Sequence, residues 1–401
     1  MRVLTFTSLF PSNLDPGFGV FVYQRVGHFA RRPNNAVEVV APVCYLPNWL
    51  RMTHTGAPTR VPTVEMFRGL TVHHPRYFLL PKISMSAHGM LLYSAMLPVV
   101  RRLHAREKFD FIDSHFLYPD GFAAVKLGRK LQIPVSVTAR GTDANSYPSY
   151  GLIRPMLRWT LERADVRIAV AAALRDKMRE FSSPGLPIRV IPNGVDTDRF
   201  WRTDMAEARR QLGLPSDQSL IVAVGSLTEV KRHWLLIRAF QKIASKKPQI
   251  CLYIFGEGAN RSGLEKLARE VQLQDRIHLP GKIANETLRL WYSAANVSCL
   301  TSVQEGWPNA ATESLACGTP VVATRVGGIP EILCNEALGV LAEGTIESIA
   351  SALQEGLSRK WDREEISRRT RMRSWDAVAG EIEETFAEVL SRRGKILGMR
   401  L

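Results

Sequence analysis

The stretch EGWPNAATESLACGTP, residues 305–320, places two carboxylates, Glu305 and Glu313, on either side of seven residues that are otherwise small or apolar. Before it, Leu300, Thr301 and Ser302 end a short β-branched run, and Gly306 to Pro308 read as a turn. A helix beginning near Asn309 and Ala310 then runs until Gly318 stops it. Glu305 therefore belongs to a strand end and Glu313 to a position just over one turn inside the helix. On one continuous helix, eight positions would separate them by about 80° of azimuth. They do not form a shared face and read as two contacts to two parts of one ligand. Backbone N–H groups at a helix start suit a phosphate, so a diphosphate flanked by hydroxyl-bearing groups matches the layout. Taken alone, the same residues also fit an ordinary helix acid and a solvated loop acid.

The surrounding chain has a clear rhythm. In the first half, short β-branched runs such as VLTFTSLF, VEVVAP, FDFIDSHF, PVSVTAR and VRIAVA alternate with longer amphipathic segments. The rhythm restarts after IRVIPNGVDTDRF with SLIVAVGSL, QICLYIFGEG, RIHLPG, NVSCLTS and TPVVATRVGG, again separated by helical patterns. This is βαβ organisation, so the expected fold class is α/β, with two doubly wound, Rossmann-like domains. Pro-Asn-Gly at 192–194 punctuates the two series, giving domains at 1–191 and 201–374 with a linker at 192–200. The tail 375–401 has apolar residues at helical spacing and is expected to pack back on the first domain. Open α/β sheets bind ligands at the carboxyl ends of their strands, so a cleft between two such domains is the expected site.

EGWPNAATESLACGTPVVATRVGGIPEI resembles the signature of family 4 retaining glycosyltransferases (group 1) of the GT-B fold, with its two glutamates separated by seven residues. PNGVDTDRF, GSLTEVK, IFGEG, LPGKI, the early PGFGVFV and the terminal SW fall in that family's order, so the likeness spans nearly the whole chain. The resemblance implies an acceptor-side first domain facing a nucleotide-sugar-binding second domain across a cleft. It implies that Glu305 bonds donor-sugar hydroxyls near the anomeric centre and that Glu313 bonds the ribose. Lys231 matches the basic residue that balances charge on the departing diphosphate, and His115, at the end of FDFIDSHF, matches a histidine close to the donor sugar. Gly17 and Gly19 match a glycine loop beside the leaving phosphate. Gly225, Gly256, Gly281, Ile283, Asn309 and Ala310 complete the expected donor contacts, with Arg140 and Asp143 expected on the acceptor side.

The sequence departs from that pattern at four positions. Ser226 stands where relatives commonly have Arg, Arg232 where many have Gly, Arg140 where His is more usual, and Ala171 where a helix-capping Ser is usual. Loss of that cap is expected to cost on the order of 1 kcal/mol. Arg140 is open to two readings, contact with an anion of the acceptor or donor, or a salt bridge to Asp143. Asp196-Thr197-Asp198 has the D-x-D form of a metal-binding signature but no neighbouring ligands, so no metal and no cofactor are expected.

Composition narrows the partners. Five scattered cysteines without a C-x-x-C pair signal neither a disulfide framework nor a zinc site. The apolar run 89–100 is twelve residues with a proline, against roughly 18 or more for a spanning helix. Net charge is +15, with 26 Lys+Arg against 14 Asp+Glu in residues 1–200 and 27 against 24 thereafter. A basic first half suits anionic lipid, nucleic acid or a phosphorylated substrate. The motifs favour a nucleoside diphosphate sugar and a glycan or lipid-linked acceptor, and not nucleic acid. Arg25, Arg31, Arg32, Arg101 and Arg102 are candidate contacts to an anionic membrane surface. The expected protein is a cytoplasmic hexosyltransferase, peripheral on the inner face of the plasma membrane, that needs no metal and serves cell-envelope or exopolysaccharide synthesis. An epimerase or phosphorylase on the same fold and a non-catalytic polyanion-binding relative are the rivals.

Overall fold

The computed structural model describes residues 1–45, 61–79, 85–245 and 247–398. The chain divides into two compact units, one formed by Met1–Asn193 together with the chain from Asp376 onward, the other by Gly194–Trp375.

In the first unit the strands are β1 (Arg2–Phe6), β2 (Ala36–Val40), β3 (Val43–Tyr45), β4 (Val64–Phe67), β5 (Leu70–His73), β6 (Arg76–Phe78), β7 (Phe111–His115), β8 (Val135–Ala139), β9 (Val166–Ala169) and β10 (Arg189–Val190). Eight of them form one sheet in the order β10-β9-β8-β7-β1-β2-β5-β4, and β3 pairs separately with β6. Every pairing is parallel except the β4–β5 hairpin. β7 and β8 are buried at every residue, as a parallel sheet covered by helices on both faces requires.

The second unit holds β11 (Ser219–Val224), β12 (Ile250–Phe255), β13 (Ile277–Gly281), β14 (Val297–Leu300), β15 (Val321–Thr324) and β16 (Gly339–Ala342). They form one all-parallel sheet in the order β13-β12-β11-β14-β15-β16. Alternation along β11 explains its two cores. Ile221 and Ala223 pack with Leu236, Phe240 and Leu353 on one face, while Leu220 and Val222 pack with Tyr292, Ala294 and Ala316 on the other.

Strand order places one reversal in each sheet. In the second, the chain winds from β11 outward through β12 and β13, then returns to lay β14 against the other side of β11. In the first, β1 has β2 on one side and β7 on the other. The loops leaving β11 and β14, and likewise β1 and β7, part in opposite directions and leave a crevice at the carboxyl ends of the strands.

The expected linker is not a free segment over its length. Val195 N–H donates to the Arg373 carbonyl, and both Val195 and Phe200 are in the core of the second unit. The terminal helix Trp375–Gly398 belongs to the first unit from Asp376. Its buried Val378, Ala379, Ile382 and Phe386 lie on one helical face. The Phe386 ring stacks on Phe111 at 4.2 Å and lies 5.9 Å from Phe29. A His28–Asp376 hydrogen bond (2.6 Å) and the ion pairs Arg32–Glu383 (2.5 Å) and Arg393–Asp165 (2.8 Å) flank that apolar seam. Phe386→Ala is expected to remove about 3 kcal/mol or more of stability from the first unit, read as a lower denaturant midpoint.

Candidate active site

The second unit gathers its polar side chains at the β11/β14 crevice. The turn Glu229–Lys231 follows β11, and Glu305 follows β14. Lys231 Nζ donates to Glu305 Oε1 at 2.5 Å, and the Ser302 hydroxyl donates to the same oxygen at 2.5 Å. The Glu305 side chain is 9% exposed and that of Lys231 25%, so the pair is held at the surface of the crevice. The backbone fixes both ends. Val303 N–H donates to the Val230 carbonyl, and the Thr301 hydroxyl donates to the carbonyls of Lys231 and Arg232.

Arg232 belongs to this framework. Its guanidinium donates to the carbonyls of Thr301 (3.1 Å) and Ser302 (3.3 Å), bracing the end of β14. It does so at φ 45°, a left-handed conformation that glycine adopts without strain, which accounts for the frequent glycine expected at this position. Ser226 is exposed in the same loop.

Close backbone approach shapes the rest. A β-carbon on Gly256 would lie 1.9 Å from the Gly225 carbonyl oxygen, while Gly225 N–H donates to Phe255 and Gly256 N–H to Gly281. The expected donor glycines 225, 256 and 281 are thus neighbours at the ends of β11, β12 and β13. Ile283 packs against the adjoining core. On the other side, a β-carbon on Gly327 would lie 2.0 Å from the Glu305 carbonyl oxygen, and Gly328 N–H donates to Gly306. Gly327 was not singled out in the sequence, although it lies in the VGG run that follows the two glutamates.

Asn309 and Ala310 open the helix Asn309–Ala316, which follows Pro308 without a side-chain cap. Glu313 lies inside it, half-buried. Burial, helped by the charge of Asp196 and opposed by the Tyr292 hydroxyl, raises its carboxyl to about 7. Asp196, from the D-x-D run, accepts from Asp198 N–H and pairs with Arg199 at 3.2 Å. Among the described residues, no group of three or more His, Cys, Asp or Glu is placed to hold a metal ion.

In the first unit the site residues converge on the β1/β7 crevice, with one change from expectation. His115 ends β7 but is fully buried and does not face solvent. Its Nδ1 accepts from Arg140 Nη2 at 2.6 Å, and its Nε2 lies 3.3 Å from Asp113 Oδ2. Arginine can only donate, so Nδ1 is the acceptor and the ring proton sits on Nε2. Burial, with Asp113 opposing and Arg140 reinforcing, pulls the imidazole down to about 3, so it is neutral. Burial also opposes ionisation of Asp113, but the Arg25 and His115 interactions more than offset it and hold this carboxyl well below its usual range.

Asp143 does not pair with the Arg140 side chain. Its carboxylate accepts the backbone N–H groups of Leu117 (2.8 Å), Arg140 (3.0 Å) and Gly141 (2.9 Å), so it braces two loops from a fully buried position. Gly19 opens the helix Val20–Arg31 at φ 62°, where a β-carbon would lie 2.5 Å from the Leu9 carbonyl; Gly17 is exposed in the preceding loop. Asp120 had no signal in the sequence. Fully buried, it accepts both the N–H (3.0 Å) and the hydroxyl (2.8 Å) of Ser8, tying the loop after β7 to the loop after β1. Ala171 starts the helix Ala172–Arg179 with no side-chain cap.

Two membrane-contact expectations change. Arg25 is buried and bonded to Asp113 and Thr138, and Arg32 pairs with Glu383. No helix among the described residues is long and apolar enough to cross a membrane.

Gly327→Ala is expected to displace the Glu305 backbone, because the positive φ and the 2.0 Å approach both exclude a side chain. A cost above about 1 kcal/mol in the second unit, measured by denaturant unfolding, would show it.

With this geometry in place, known proteins can be compared. Residues 204–373 match the model of the glycosyl transferases group 1, and residues 17–199 match that of glycosyltransferase family 4. TuaC of Bacillus subtilis, named for teichuronic acid biosynthesis, is 28% identical over 362 residues, covering 88% of each chain. A D-inositol 3-phosphate glycosyltransferase of Nocardiopsis dassonvillei is 29% identical, covering 86% of this chain and 83% of its own. Among solved structures, sucrose-phosphate synthase of Thermosynechococcus elongatus superposes with TM-score 0.77 at 22% identity, covering 98% and 99% of the two chains. Anabaena HepE in complex with UDP-glucose gives TM-score 0.69 at 16% identity, covering 96% and 99%. The two units carry the GT-B type of fold, and the chain belongs to the glycosyltransferases of the group 1, family 4 type.

Proposed function

We propose that this glycosyltransferase moves a hexose from a nucleoside diphosphate sugar to a hydroxyl of a glycan or lipid-linked acceptor, with retention and without a metal. The observation that carries the donor assignment is the Lys231–Glu305 pair at the β11/β14 crevice, beside the start of the helix Asn309–Ala316. Both bonds to Glu305 fall on Oε1, which leaves Oε2 to accept from a sugar hydroxyl. Lys231 and the N–H groups near Asn309 and Ala310 are matched to the diphosphate, and Glu313 to the ribose. HepE in complex with UDP-glucose supports a donor of this class.

Retention is read as a front-side displacement. The bond from the anomeric carbon to the diphosphate breaks, the acceptor oxygen bonds to that carbon on the same face, and the departing diphosphate takes the acceptor proton. The buried Asp113 and Asp143 of the first unit favour this over a covalent intermediate, since they are committed to Arg25 and to three backbone N–H groups. His115 acts from beneath, as a neutral ring that positions Arg140.

Cell-envelope or exopolysaccharide synthesis at the inner face of the plasma membrane is the setting we favour. TuaC supports it, as does a basic depression lined by Arg101, Lys108, Arg129 and Lys130. A glycan or anionic lipid surface, rather than nucleic acid, is the partner matched to it.

Screening UDP, GDP and ADP sugars by thermal shift, followed by mass spectrometry of acceptor products, tests the reading. One donor is expected to bind and be consumed, with Glu305→Gln and Lys231→Ala each lowering turnover about 100-fold; absence of binding by every donor would sink it. Glu313 adds a pH test. With its carboxyl near 7, a ribose-accepting carboxylate must first lose a proton. Nucleotide affinity should fall as pH drops from 8 to 6, approaching about tenfold per unit below 7. Glu313→Gln should flatten that component in titrations across the same range.

A further inference from the structure

Arg140 carries a charge that no carboxylate among the described residues pairs with directly. It follows β8 and is only partly exposed. Its Nη1 donates to Asn193 Oδ1 at 2.8 Å, its Nη2 donates to His115 Nδ1 at 2.6 Å, and its guanidinium carbon lies 5.3 Å from the centre of the Phe21 ring. All three partners are neutral. The nearby carboxylates are already used: Asp113 accepts two bonds from Arg25 and one from Ser136, and Asp143 accepts backbone N–H groups.

Among the described residues Arg140 makes no ion pair, and its buried Nε has no hydrogen-bond partner. A guanidinium offers five N–H donors in a fixed fork, and two of them are accounted for here. Burial and the Arg25 charge lower its pKa to about 9 against the opposing pull of Asp113 and Asp143, so the cation persists at neutral pH. A half-buried cation without a direct ion-pair partner is costly to keep, and its planar fork is suited to binding a carboxylate or phosphate. Its surroundings hold it in place, with His115 underneath and Asn193 beside it.

Resting on the transferase reading above, we propose that Arg140 binds an oxyanion carried by the acceptor, a carboxylate or a phosphate group, and so selects acidic acceptors over neutral ones. The site lies at the carboxyl ends of β7, β8 and β10, entirely within the first unit. The Lys231 site for the donor diphosphate lies in the second. The two anion sites are therefore separable by mutation.

The test uses the full chain and calorimetric titration with malonate and with inorganic phosphate, in the presence of saturating nucleoside diphosphate and again without it. Wild-type protein is expected to bind at least one of these anions while nucleotide is bound. Arg140→Gln should weaken that binding at least tenfold and leave the nucleotide Kd within twofold. Asn193→Asp sets a carboxylate beside the guanidinium; it should abolish anion binding while the thermal midpoint holds or rises, which separates loss of the site from loss of the fold. Lys231→Ala should do the converse, weakening nucleotide and sparing the anion.

Equal anion affinity in wild type and Arg140→Gln would overturn the proposal, as would no anion binding by wild type. So would a fall in nucleotide affinity in Arg140→Gln as large as the fall for the anion, since that would assign Arg140 to the donor diphosphate. Failure of the transferase reading has a different signature, the absence of nucleotide binding by wild type. The titrations run without nucleotide still report on Arg140 in that case.

Discussion

The ion pair between Lys231 and Glu305 bridges the place in the second sheet where consecutive strands part. Only there do the loops after two neighbouring strands, β11 and β14, leave in opposite directions. The pair needs both loops held to within an ångström, and the backbone supplies this through bonds between Val303 and Val230 and from Thr301 to the two carbonyls beneath the lysine. Arg232 adds a clamp on β14, at a backbone conformation that costs a non-glycine residue something. The glycines at 256 and 327 complete the framework from either side by removing the β-carbons that would push the loops apart. The chemistry of the second unit thus depends on backbone proximity first and on side chains second.

The first unit solves a different problem. It buries Arg25 and half-buries Arg140 beside two aspartates and a histidine at the ends of adjacent parallel strands. Buried charges are tolerated where each is paired. Arg25 with Asp113 meets that condition, at 3% and 4% exposure. His115 meets it by staying neutral, and its tautomer is set by the donor on one side and the carboxylate on the other. Arg140 is the member left without a direct ion-pair partner, which is why we propose it as the residue through which this unit addresses a substrate.

Much of this could be read along the chain. Alternating β-branched runs and amphipathic segments, restarted after residue 194, specify two parallel α/β units because buried parallel strands must be apolar on both faces. The division between Glu305 at a strand end and Glu313 within a helix followed from Gly306 to Pro308 and from Gly318. Lys231 was legible only through the likeness of GSLTEVK to the family's motif. His115 was legible as a strand-end residue, but its burial was not, because what covers it comes from Arg140, twenty-five positions later. The salt bridge open to Asp143 and Arg140 is not made, for a related reason: the partners of Asp143 are backbone N–H groups, which leave no mark in a sequence. Asp120 gave no signal at all, and Asn193 was read only as part of a turn, since each acts on a residue more than fifty positions away.

The sequence by itself determined the periodicities, the turn glycines and the order of the motifs, and these fix the fold class because local sterics and hydrophobic alternation are properties of neighbouring residues. Tertiary structure decided which charges meet. Arg25, which reads as a surface cation on an amphipathic helix, became a core residue once β7 placed Asp113 opposite it. Arg140, which has an aspartate three residues away, was left without a counter-charge because that aspartate was taken by backbone amides. Such pairings depend on distances between strands far apart in the chain, and only the assembled sheet sets them.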